Sequence, residues 1–88
     1  MTEQMKGETQ MSITIGEYRV GISFNPSANP DVDAIKRAAA DFIDLCAKIR
    51  AEKPDDVEVN RLWALAMTHM EDAAMWAVKA TTKEPWDK

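Results

Sequence analysis

Cysteine is nearly absent. Cys46 stands alone among 88 residues, so no intrachain disulfide forms, and this usage suits a reducing compartment. Three scattered glycines make no phosphate-cradling loop. The single histidine, His69, has no companion ligands at the spacing that marks a zinc site. No Ser/His/Asp or Cys/His motif offers a nucleophile. The adjacent Glu71 and Asp72 lie about 100° apart on a helix and do not converge as an acid–base pair. The sequence therefore reads as a non-enzyme, with no catalytic residue, no metal and no cofactor. No apolar run approaches the roughly 18–20 residues of a membrane span. The N-terminal MTEQMKGETQM is polar and lacks the apolar core of a signal peptide. The expected compartment is the cytoplasm, with no membrane partner.

Hydrophobic residues make up 45% of the chain and charged ones 30%, the balance of one small soluble domain. The net charge of −4 is unevenly spread: residues 52–60 (EKPDDVEVN) hold four acids and one base. No long basic stripe exists, so duplex nucleic acid is not an expected partner. A small anion gripped by two or three convergent bases is compatible with this distribution, because local geometry outranks net charge at that scale.

Residues 1–11 read as a flexible tail. In SITIGEYRVGISF, Ile13, Ile15, Val20, Ile22 and Phe24 alternate roughly with polar residues, and two glycines interrupt them. That pattern predicts a short extended segment or loose hairpin. NPSANPD is turn chemistry. Helix one is expected over about 30–51, with Asn29 as N-cap and Pro30 in its first turn. Its apolar stripe is Val32, Ile35, Ala39, Phe42, Cys46 and Ile49, widened by Ala38, Ile43 and Leu45. Helix two is expected over about 56–82, after a second start signal at Pro54 and Asp55, and residues 84–88 read as a C-terminal tail.

Helix two is unusually greasy. From Leu62 to Val78 only Thr68, His69, Glu71 and Asp72 are polar. One stripe holds Leu62, Leu65, Ala66, His69, Ala73, Trp76 and Ala80, and another holds Trp63, Met67, Met70, Ala74 and Val78. A hairpin covers only one of them, and an exposed stripe of that size marks an interface. The expected fold is thus all-α: an antiparallel two-helix hairpin over 12–83, with a short extended N-terminal segment, assembled into a symmetric oligomer. Placing His69 on the packed stripe makes it a buried core histidine, and Cys46 a small core residue.

Groups suited to gripping a ligand remain. Tyr18, Phe24 and Trp63 have flat faces on which a base can stack. Arg19, Lys36, Arg37, Arg61 and Lys79 can hold phosphates; otherwise Tyr18 is a packing residue and Lys36 a solvated helix surface. Arg61, Thr68 and Glu71 form a polar strip on helix two that either pairs internally or binds something polar.

The segments TIGEYRVGISFNPSANPDVDAIKRAAADFIDLC and RLWALAMTHMEDAAMWAVKATTK resemble a helical-hairpin family of small phage proteins. That family includes the anti-CBASS cyclic-nucleotide sponge and the hairpin part of a related anti-Thoeris sponge. The more specific part is an arginine leading into apolar–Ala–Thr–x–x–Glu–x–Ala–x–Met–Trp–Ala–x–Lys–Ala. The resemblance covers about residues 12–83. It implies a hexamer that sequesters cyclic dinucleotides or trinucleotides without cleaving them, for immune evasion in the host bacterial cytoplasm. It further implies that Tyr18 stacks on a base, that Lys36 contacts the ligand, and that Arg61 and Thr68 serve a second pocket. The alternative reading is a structural or regulatory helical module that binds another protein through the Trp63–Met67–Met70 stripe.

Overall fold

A computed structural model describes residues 12–86; the expected tail at 1–11 lies outside them. Three helices follow one another: α1 (Ile15–Val20), α2 (Pro30–Arg50) and α3 (Val57–Thr82). The described residues contain no strand.

The two long helices begin where local chemistry supplies caps. The Asn29 side chain accepts the Asp31 N–H at 2.8 Å, and Pro30 enters the first turn, where it sacrifices no internal hydrogen bond. Asp56 does the same for α3 by accepting the Val59 N–H at 3.0 Å. The hairpin is tied at its open end, where Asn29 Nδ2 donates to the Thr81 carbonyl at 3.3 Å.

The expected extended segment is corrected: residues 15–20 are helical. Three local devices override the alternating pattern. Thr14 and Glu17 form a capping box, with the Glu17 N–H reaching Thr14 Oγ1 at 3.0 Å and the Thr14 N–H reaching Glu17 Oε1 at 2.9 Å. Gly21, at φ 65°, ends the helix in the left-handed region that favours glycine. The Ile22 N–H then reaches back to the Glu17 carbonyl at 3.0 Å, as a Schellman closure requires.

Ile43, Cys46 and Met67 form the centre of the core, with Trp63, Ala66 and Met70 packed around them and Val20 of α1 closing one edge. Cys46 is fully buried, and burial pushes its thiol pKa up. The stripe of α3 that faces α2 is therefore Trp63–Met67–Met70–Ala74–Val78. Of the Trp63–Met67–Met70 stripe that the alternative reading offers to a partner, Met67 is buried while Trp63 and Met70 are half-buried against the core. Leu62, Leu65 and Trp76 are exposed. His69 shares that exposed face and is not a core histidine. Both stripes are apolar, and Met and Trp63 side chains fill the irregular seam against α2.

At about 100° per residue, α1 lies along the flank of α2 that carries Arg37, Ala40 and Asp44. Phe42, Leu45 and Ile49 lie on the opposite flank and remain at least a third exposed. The described part of the protein thus has a polar side, closed by α1, and an open apolar side.

Candidate functional site

The site forms where α1 meets both long helices. Arg19, on the short helix, reaches across to α3: its Nε donates to Glu71 Oε1 at 2.8 Å and its Nη2 to Thr68 Oγ1 at 3.3 Å. The polar strip read from α3 is thereby divided. Thr68 and Glu71 are engaged by Arg19, whereas Arg61 pairs with Glu58 through two hydrogen bonds of 2.9 and 2.7 Å. That pairing lowers the Glu58 pKa and raises that of Arg61. Arg61 sits two turns away from Thr68 along α3, on the solvent-exposed surface.

Lys36 is not a solvated surface residue. It is 7% exposed, and its ammonium donates to the Gly21 carbonyl at 2.9 Å and to the Phe24 carbonyl. The Phe24 ring stands 5.4 Å from Nζ, within reach of a cation–π contact. Among the described residues no carboxylate lies within ion-pair distance of Lys36. Among those residues the charge is held by carbonyl dipoles and a π face rather than by a counter-ion.

A cavity of about 240 Å³ opens beside these groups, walled by Arg19, Lys36 and Glu71 on its polar side and by Ala74, Met75 and Val78 on its apolar side. A second hollow of about 240 Å³ shares the Lys36 wall and extends under Phe24, Pro26 and Thr82. Tyr18 and Phe24 are 73% and 69% exposed. Each presents an aromatic face to solvent near the cavity-lining residues Arg19 and Lys36. The structure brings Arg19, Lys36 and Glu71 to one cavity wall, with Thr68 bonded to Arg19 and Phe24 over Lys36; Tyr18 is exposed and lines neither hollow, and Arg61 is paired with Glu58. Among the described residues no three His, Cys, Asp or Glu side chains gather into a metal-holding group.

Asp44 and Gly16 are parts of this region that sequence reasoning missed. The Gly16 N–H donates to Asp44 Oδ1 at 2.7 Å. The sequence signal for this contact was a glycine inside a segment read as extended or as a loose hairpin. Glu17 also ties α1 to α2, through Arg37 at 2.9 Å. The Thr14 N–H, followed by Arg37, holds the Glu17 carboxyl below its usual pKa, and the same pair raises the pKa of Arg37.

The Acb2/Tad1 hairpin-domain family model matches residues 17–82, about three quarters of the chain and nearly all of the helical part. The chain belongs to that family. Membership in the Acb2/Tad1 hairpin family implies an anti-defence role as a cyclic-nucleotide sponge, sequestering rather than catalytic. No curated protein and no solved structure matches the chain. None of its helices, among the described residues, is long and apolar enough to cross a membrane.

Proposed function

We propose that this Acb2/Tad1 hairpin protein binds and holds intact cyclic dinucleotides such as cyclic GMP–AMP, cyclic trinucleotides, or both, starving CBASS-type effectors of their messenger. The observation that carries this reading is the buried Lys36 ammonium, paired with no carboxylate among the described residues, which shares one cavity wall with the Arg19 guanidinium, while Phe24 stands over it and Tyr18 is exposed on the same short helix as Arg19. A cyclic oligonucleotide offers what such a wall lacks: negative phosphates for the cations and flat bases for the aromatic faces, each stacked base gaining about 1–3 kcal/mol. Glu71 accepts hydrogen bonds only, which suits the amino edge of a base once Arg19 turns to a phosphate. Thr68 supplies a hydroxyl at the same junction, and Arg61 a further cation on the same helix once it leaves Glu58.

The cavity is too small for a whole cyclic oligonucleotide, so the site is completed by further copies of the chain. The open apolar side supports this. Phe42, Leu45 and Ile49 of α2, and Leu62, Leu65 and Trp76 of α3, are large apolar side chains left at least a third exposed, the kind of surface a subunit interface covers. A closed symmetric assembly, the hexamer of the family resemblance, covers it and repeats each binding group around a ligand that is itself nearly symmetric. In this reading the protein is of phage origin and acts in the host bacterial cytoplasm. Exposed apolar residues also fit the second reading, a module that docks on another protein through the apolar surface of α3, where Trp63 is half-buried and Leu62, Leu65 and Trp76 are exposed.

The test is to incubate the protein with cyclic GMP–AMP and with cyclic tri-adenylate, isolate it, heat-denature it and chromatograph what is released. Intact ligand recovered from the protein fraction is the expected result. Altered ligand would make the protein an enzyme, and no retained ligand, with a monomeric chain, would favour the docking module. Tyr18→Ala and Arg61→Ala are expected to weaken binding without changing the sedimentation mass.

A further inference from the structure

At six residues, α1 is too short to hold helical form alone. Its persistence depends on what α2 does to its ends. At the N-terminal end, the Asp44 carboxylate accepts the Gly16 N–H at 2.7 Å. That amide is one of the orphan donors of a first helical turn, and the carboxylate places negative charge at the positive end of the helix dipole. At the C-terminal end, Lys36 binds the carbonyls of Gly21 and Phe24. Lys36 and Asp44 are separated by about 12 Å of rise along α2, close to the length of α1 with its caps. An acid and a base on one helix thus bracket another.

Steric fit makes this seat specific. A Cβ at Gly16 would lie 2.2 Å from the Ala40 carbonyl oxygen and 2.8 Å from Asp44 Oδ1. The first of these atoms belongs to the backbone of α2 and has no rotamer by which to retreat. The Glu17–Arg37 pair is exposed, where ion pairs contribute little, and the part-buried Arg19–Glu71 pair joins two flexible side chains. The Asp44 bond, also part-buried and charge-assisted, is made to the backbone of α1 itself, so it fixes the position of the helix rather than of one side chain.

We propose that Asp44 is a positioning residue of the ligand site. It sets the placement of α1 on α2, and through it the aim of Tyr18 and Arg19, without itself contacting the ligand. The affinity consequence rests on the sponge reading; the seating of α1 does not.

The experiment compares Asp44→Ala, Asp44→Asn and Gly16→Ala with the parent chain by amide hydrogen exchange across residues 15–22 and by titration with a cyclic dinucleotide. Asp44→Ala and Gly16→Ala are expected to speed exchange in that segment about tenfold and to weaken binding by a similar factor, the loss set by one charged hydrogen bond. Exchange in the buried parts of α2 and α3 stays at the parent level. Asp44→Asn, whose amide oxygen still accepts the Gly16 N–H, restores most of both. Unchanged exchange in both disruptive variants would overturn the proposal, as would faster exchange with undiminished affinity. A parent chain that holds no cyclic nucleotide would sink the sponge reading alone, because the exchange measurement still decides whether Asp44 seats α1.

Discussion

The hairpin and the short helix beside it are built by different physics. Where α2 meets α3, Ile43, Cys46 and Met67 exclude water almost completely, and each large side chain contributes roughly 1.5–3 kcal/mol by its burial. Where α1 meets the hairpin, Val20 is the core contact, and the rest is a carboxylate on an amide, an ammonium on carbonyls and two ion pairs. Such contacts are individually weaker than a buried apolar side chain and depend on solvent, salt and pH. The rigid frame is therefore apolar, and the element that carries Tyr18 and Arg19 is held by bonds a charged ligand can compete for.

The comparison breaks most visibly at the core. Ile43→Ala removes a fully buried side chain and is expected to cost about 2–5 kcal/mol, read as a lower unfolding midpoint by circular dichroism. The open apolar side comes next. Trp76, 63% exposed, is expected to carry about 2 kcal/mol of any self-association. Trp76→Glu should therefore lower the sedimentation mass while leaving helicity intact, and an unchanged mass would place the subunit interface elsewhere.

Smaller effects sharpen the polar half. Arg19→Ala removes both ties from α1 to Thr68 and Glu71. It is expected to destabilise the seating of α1 by about 1 kcal/mol, seen as several-fold faster exchange there with the hairpin midpoint unmoved. Acid should loosen the same element. The Glu17 carboxyl is held below its ordinary value of 4.5, chiefly by the Thr14 N–H and then by Arg37. Its contribution is complete above that ordinary value and is lost as pH falls through the lower folded one. Amide shifts of residues 15–20, followed by nuclear magnetic resonance into the acid range, should move before those of the core. The smallest effect lies in the turn before α2, where Ala28 has φ 54°. Ala28→Gly relieves a left-handed backbone and is expected to change stability by no more than about 1 kcal/mol, in the stabilising direction.

Residues whose roles depend on near neighbours were readable before any coordinates. Asn29 and Asp56 start helices because their side chains satisfy amides two or three residues away, and Pro30 suits a first turn because it has no amide hydrogen to lose there. Arg19, Phe24, Thr68 and Glu71 were legible as ligand-gripping types, though not as one cluster, because Arg19 and Glu71 are 52 residues apart. Residues whose roles depend on distant partners were misread. His69 and Trp63 exchanged places, exposed against packed, because two apolar stripes on one helix look alike until a second helix chooses between them. Lys36 read as a ligand contact or else as solvated helix surface, and its burial was not legible, because nothing nearby in sequence announces that the Gly21 and Phe24 carbonyls fold over it.

Taken alone, the amino-acid order determined that the chain is helical, where its two long helices start and turn, and that it carries more apolar face than one hairpin covers. These follow from cap chemistry and a period of 3.6 residues, both local. Only the tertiary structure decided that residues 15–20 coil into a helix, that Lys36 is buried, and that the Leu62–Trp76 face is the one left open. Those outcomes turn on which surfaces meet, and a six-residue helix or a buried ammonium is stable only once the partner that satisfies it has been folded into reach.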